Sequence, residues 1–168
     1  FTRNWPRTWP PDLVKHPLEH ARYNMVEQQI QTGLVHDVEI LAAWAHVKRE
    51  QFVPPACSGM AFMDMEIPLY GAPEDIERTG LCMLAPKIEA RMLQDLKIQK
   101  HERVLEIGAG SGYMAALLAH RAHHVVTLEI VPELAEMARE NLESAGVSNV
   151  TVRQADGAAP GTIAEGPF

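Results

Sequence analysis

Residues 104–113 read VLEIGAGSGY, and no other stretch of the chain restricts its possible folds so tightly. A run of buried-strand character stops at Gly108, Gly110 and Gly112, and a helical pattern begins at once. A glycine inside a regular element costs roughly 0.5–1 kcal/mol relative to alanine, so three at one turn mark a place that excludes Cβ atoms. At the carboxyl end of a parallel strand, that need arises when a ligand must approach the main chain closely. The helix that follows adds unpaired N–H groups and a positive dipole end, both suited to an anionic group. A glycine-rich turn with no ligand is the competing reading.

The surrounding sequence alternates strand and helix. Strands are predicted at 103–107, 124–130 and 149–154, with one helix over about 112–122 and another from Pro132 to a stop at Gly146. Leu134, Met137, Ala138 and Leu142 give the second helix an apolar stripe. Crossovers of this length join parallel strands with a right-handed sense, which predicts an α/β fold with a Rossmann-like, doubly wound parallel sheet.

Upstream, the spacing predicts a helix over 19–32 ending at Gly33, and a second capped by Asp37 through 47 that buries Val38, Leu41, Ala42 and Ala45. Pro86 opens a third helix through 96, with Ile88, Met92 and Leu96 on one side. Residues 60–80, rich in Met, Pro and Gly, read as extended chain and loop. The expected organisation is an irregular arm over 1–18, an N-terminal helical addition with a loop over 19–100, and the α/β core over 101–168. Three parallel strands alone leave an open edge, so the core is expected to lack later strands that belong to a longer protein.

Fifteen basic against twenty-two acidic side chains give a formal charge of −7, which argues against a broad phosphate-binding surface and so against nucleic acid. No stretch reaches the roughly 18 apolar residues of a membrane span. Cys57 and Cys82 lie far apart with no CxxC pair, the usage of a reducing cytoplasm. His123 and His124 are strand neighbours that point to opposite faces, a poor metal pair, and no metal site is expected. Trp5, Trp9 and Trp44 read as packing anchors or a contact for another chain. Met60, Met63, Met65 and Met83 read as core filling, and Cys82 as a buried, unreactive thiol.

Two ligand classes fit a glycine turn of this kind. The dinucleotide pattern G-x-G-x-x-G/A fails from Gly108, where its last position is Tyr113, and succeeds from Gly110 through Ala115 only in a frame shifted from the strand end. The S-adenosylmethionine (SAM) methyltransferases place an acidic residue before G-x-G-x-G, and Glu106 with Gly108, Gly110 and Gly112 resembles that motif in full. In that frame Glu106 serves the amino-acid end of the ligand, with Ala109, Ser111 and Tyr113 completing the turn. Glu129, followed by Ile130, ends the second strand and would take both ribose hydroxyls. Asp156 with Gly157, after the third strand, would accept the adenine amino group. A solvated strand end and a plain turn are the alternatives for Glu129 and Asp156.

With these residues placed, the chain resembles the protein-L-isoaspartate O-methyltransferase family. The resemblance rests on MVEQQI at 25–30, VKREQFVPP at 47–55, MDMEIPL at 63–69, PKIEARMLQDL at 86–96, RVLEIGAGSGY at 103–113, TLE at 127–129 and ADG at 155–157. It implies a doubly wound SAM-binding fold with an N-terminal helical addition. It also implies methylation of the side-chain carboxylate of isoaspartyl residues in aged proteins or peptides, with S-adenosyl-L-homocysteine as co-product. One segment departs from the family. A G-x-G-Q-T-I-S stretch lies before the proline matched by Pro86, and its hydroxyl residues help hold the acceptor. Here the serine position is Leu84 and the threonine position Cys82, so Cys82, Leu84, Ala85 and Pro86 are the acceptor-side candidates and no catalytic residue is assigned. The same departure leaves two alternatives open, a SAM-dependent enzyme with another acceptor and a SAM-binding protein without transferase activity. Oligomeric state is not legible from the sequence.

Overall fold

The structure, a computed structural model, describes residues 16–30, 32, 35–159, 161–163 and 166–168. Trp5, Trp9 and the expected stop at Gly33 lie outside the described residues.

Helix α1 (Pro17–Asn24) starts on a proline, whose missing N–H costs nothing in a first turn. It does not run on as one α-helix. Residues Met25–Ile30 form a π-helical turn instead, with Met25, Val26 and Ile30 all buried. Bonding from i to i+5 widens the turn and brings residues five apart onto one face, which the α-helical spacing cannot do.

Asp37 caps α2 (Val38–His46) as predicted, its carboxylate accepting from the Glu39 N–H at 2.9 Å and the Ile40 N–H at 3.4 Å. The buried stripe differs from the expected one. Ile40, Leu41, Ala43 and Trp44 face inward, whereas Val38 is 43% exposed. Trp44 decides the rotation, because one indole removes far more apolar surface from water than two alanines. It is fully buried and meets the Tyr113 ring edge-on at 5.4 Å.

Two 3-10 turns, Arg49–Gln51 and Pro55–Met60, lead to β1 (Ile67–Pro68), which pairs antiparallel with β2 (Cys82–Met83). Between them the expected loop contains a short helix, α3 (Ile76–Thr79), closed by Gly80 at φ 68°. Of the four methionines read as core filling, Met83 is buried and Met60 packs at its margin, but Met63 and Met65 are exposed.

Helix α4 (Pro86–Leu96) has the predicted bounds and the opposite orientation. Pro86, Glu89, Ala90 and Leu93 are buried, while Ile88, Met92 and Leu96 are 45–56% exposed. The inward face packs on α2 and the π-turn, where the small Ala90 permits close approach.

Strands β3 (Arg103–Ile107), β4 (His124–Glu129) and β5 (Val150–Gln154) form a parallel sheet in that order. Helices α5 (Tyr113–Ala119) and α6 (Pro132–Ser144) make the two crossovers, with Leu134, Ala138 and Leu142 buried as the stripe predicted. The central strand β4 is buried from Val125 through Glu129, and both edge strands are only partly covered. The core joins the N-terminal addition to α5 and to Leu134 and Leu142 of α6, and reaches the sheet through Val125, with Val104, Val150 and Val152 packed against it. His124 engages the Thr151 side chain at 3.0 Å. No helix among the described residues is long and apolar enough to cross a membrane.

Candidate functional site

The carboxyl ends of β3 and β4 lie side by side, and the chain leaves β3 through the glycine turn. The N–H groups of Gly108 and Ala109 both donate to the Leu128 carbonyl, at 2.7 and 3.1 Å. Gly108 adopts φ 94°, and a Cβ placed on it would meet nothing within 4 Å, so its face is open. Gly112 does something else. At φ 84° its Cβ would stand 3.1 Å from the Ala138 carbonyl and 3.2 Å from Leu142 Cγ. The first glycine bares the main chain toward open space; the third lets α5 close on α6.

The turn opens on a cleft of about 340 Å³. Glu106, Gly108, Ala109, Gly110, Ser111 and Tyr113 line one side, and Cys82 and Leu84 line the other. Ala85 and Pro86 stand behind that second wall as the N-cap and the buried first residue of α4. Met92 and Leu96, on the outward side of α4, also reach the cleft.

Glu106 sits opposite Thr127 in the β3–β4 register. Its Oε2 is enclosed and has no hydrogen-bond partner among the described residues. Burial pushes this carboxyl up to about 8, and the nearby Glu89 and Glu129 carboxylates push in the same direction. A buried acceptor without a donor suits a cationic or N–H-bearing ligand group.

Glu129 is 5% exposed. Its Oε2 accepts from the Gly110 N–H at 2.9 Å and its Oε1 from the Val131 N–H at 3.0 Å, so it clamps the glycine turn to the end of β4. Ile130 is exposed beside it. Asp156 is exposed after β5 and accepts from the Ala158 N–H at 2.9 Å, while Gly157 lies against Ile107. Glu129, Ile130, Asp156 and Gly157 therefore share the carboxyl end of the sheet but do not line the cleft.

Two residues to which the sequence assigned no role, Arg49 and Glu89, lie at the centre of the site. Arg49 is fully buried, pairs with Glu89 and donates from Nη2 to the Leu84 carbonyl at 2.8 Å. Its guanidinium lies 4.8 Å from the centre of the Tyr113 ring. Burial pushes the Glu89 carboxyl up to about 7 against the attraction of that guanidinium. The available signal was that Glu89 shares a helical side with Pro86, Ala90 and Leu93, an acid on an apolar face. Cys82 is half-buried, and burial raises its thiol, with Glu66 and Glu89 adding to the effect. It therefore stays protonated and is a poor nucleophile.

Comparison with known proteins identifies the family and the fold. The family model of protein-L-isoaspartate(D-aspartate) O-methyltransferase matches residues 20–168. The Aeropyrum pernix protein-L-isoaspartate O-methyltransferase is 43% identical over 145 residues, covering 84% of this chain and 53% of that protein. The Methanoculleus marisnigri protein of the same name is 41% identical over 141 residues, covering 84% and 60%. Among solved structures, a protein-L-isoaspartate O-methyltransferase aligns with a TM-score of 0.66 at 26% identity, covering 81% of this chain and 42% of that one. A Plasmodium falciparum β-aspartate methyltransferase in complex with S-adenosyl-L-homocysteine shares the fold, with a TM-score of 0.62 at 18% identity over 84% of this chain and 64% of that one. The chain thus spans 53–60% of the length of the two curated relatives named. Matched by the family model from residue 20 to its last residue and by relatives above 40% identity, the chain belongs to the protein-L-isoaspartate(D-aspartate) O-methyltransferase family.

Proposed function

We propose that the protein is a SAM-dependent methyltransferase that esterifies the side-chain carboxylate of L-isoaspartyl residues in damaged proteins. The observation that carries this reading is the buried Glu106 carboxyl, whose Oε2 has no hydrogen-bond partner among the described residues, beside the bare face of Gly108 and in the same cleft as Leu84 and Cys82. These residues fit the cofactor. Gly108 leaves room for close approach to the main chain, and Glu106 answers the ammonium of the amino-acid end. Each Glu129 oxygen accepts one backbone N–H and can accept a second donor, so both ribose hydroxyls can be taken without releasing the turn. Asp156 and Gly157, with Ile130, are assigned to the adenine side.

SAM supplies a methyl group on a sulfonium, which leaves as a neutral thioether. The rest falls to position. A carboxylate with an ordinary pKa near 4 is ionised at pH 7 and already nucleophilic, so no general base is needed. Holding acceptor and methyl in line can be worth roughly 7–11 kcal/mol. The compartment we propose is the reducing cytoplasm, in keeping with Cys57 and Cys82 as free thiols.

Calorimetry with SAM and S-adenosyl-L-homocysteine, followed by tritiated methyl transfer to an isoaspartyl peptide, tests the reading in the full-length protein. Saturable heat and a base-labile labelled peptide are expected. Absence of heat with either nucleoside ends the proposal, and binding without transfer ends its catalytic half.

The acceptor wall makes its own prediction. Leu84 lines the cleft without a donor for a charged acceptor. Leu84→Ser is expected to raise kcat/KM for an isoaspartyl peptide by ten- to a hundredfold, since a hydrogen bond to a charged group is worth about 1.5–3 kcal/mol. An unchanged kcat/KM would remove residue 84 from the acceptor site.

A further inference from the structure

We propose that Arg49 is a positioning residue for the methyl acceptor, one that sets the depth of the acceptor wall against the glycine turn; this rests on the carboxyl-methylation reading above. Arg49 leaves a 3-10 turn remote in sequence from both loops, yet it is wholly buried where they meet. Nη1 pairs with Glu89 on α4 and Nη2 donates to the Leu84 carbonyl. The guanidinium carbon lies 4.8 Å from the centre of the ring of Tyr113, the first residue of α5 and the direct successor of Gly112. One rigid planar group thus touches the acceptor wall, the helix behind it and the exit of the glycine turn.

The bond to residue 84 goes to its main chain, not to its side chain. The side chain there can change the chemistry of the lip, while Arg49 keeps the backbone that carries it at one depth. Residue 84 lies between β2, which ends at Met83, and the N-cap Ala85, and so belongs to neither element. Methyl transfer in line is steep in distance, and a misplacement of about 1 Å can cost a hundredfold. A lysine cannot replace this residue. It keeps a charge for Glu89 but lacks the fork that serves two acceptors at once.

The test uses the full-length protein with Arg49→Lys. Three quantities are measured: SAM affinity by calorimetry, kcat and KM for an isoaspartyl peptide at saturating SAM, and amide hydrogen exchange by peptide segment. The proposal expects SAM affinity within about twofold of wild type and peptide kcat/KM reduced ten- to a hundredfold. It also expects exchange across 82–85 to be at least tenfold faster, with β4 unchanged. Should Arg49→Lys fail to fold, the pair Arg49→Met with Glu89→Leu carries the same readouts, since an apolar pair can replace a buried ion pair without loss of the fold. Peptide kinetics and 82–85 exchange within twofold of wild type overturn the proposal, as does a uniform change in every parameter or the failure of both variants to fold. A wild type that binds SAM but leaves the peptide unmethylated sinks the proposed reaction instead. The exchange result then still decides whether Arg49 anchors the wall.

Discussion

Glu106→Gln is expected to move affinity and stability in opposite directions. In the native state burial holds this carboxyl at about 8, against an ordinary value of 4.5. Between those values the folded chain keeps a proton that the unfolded chain has released. The sign follows directly: the unfolded state binds fewer protons, so stability falls as pH rises from about 5 to 8 and levels off above. The full swing is a few kcal/mol, since each unit is worth about 1.4 kcal/mol. Glu89, raised to about 7, adds to the same slope from its own ordinary value of 4.5 up to 7. Glutamine cannot ionise, so denaturant titrations at pH 5, 6.5 and 8 should show a flatter profile for the variant and a more stable protein at pH 8. Cofactor binding goes the other way. A ligand ammonium favours the ionised carboxyl, so SAM should bind wild type more tightly at pH 8 than at 6.5. The variant should lose ten- to a hundredfold and most of that pH dependence. Equal stability slopes in the two proteins would remove Glu106 as the titrating group, and equal affinities would remove it from the cofactor site.

Gly112→Ala should cost more stability than any other single-methyl change in the glycine turn. The left-handed conformation at φ 84° costs an L-residue roughly 1–2 kcal/mol. The added methyl must also displace the main chain of α6 at Ala138 and the Leu142 side chain, which overpacking data place at about 1–3 kcal/mol. Together these are a large part of a domain stability of about 5–15 kcal/mol. A fall of roughly 5–15 °C in Tm is expected, at about 2–4 °C for each kcal/mol. Gly108→Ala is the control. Its Cβ enters open space, so it carries the backbone cost alone and should lower Tm by a smaller amount while weakening SAM binding. If the two variants melt alike, the division between an approach glycine and a packing glycine is wrong.

What the sequence made legible was governed by local rules. The bounds of β3, β4 and α4, the Asp37 cap and the glycine turn follow from period, caps and backbone chemistry, and these are settled within a few residues. The facing of helices was not. Ile88, Met92 and Leu96 make an apolar row by spacing, yet α4 turns Ala90 and Leu93 inward because its neighbours α2 and the π-turn lie on that side. Likewise the spacing of Gly108, Gly110 and Gly112 says nothing of α6, which gives the third its separate role. The junction of Arg49 with Glu89 spans 40 residues, and no periodicity reaches that far. Glu129 was legible as a strand-end acid, but its bonds to the N–H groups of Gly110 and Val131 required the fold.

That clamp has a thermodynamic consequence. With Gly110 and Val131 tethered to one buried carboxylate, the main chain of the proposed nucleoside site is already held in place by the protein's own bonds. Little conformational entropy then remains to be lost on association, so recognition is closer to docking on a preformed mould than to coupled ordering.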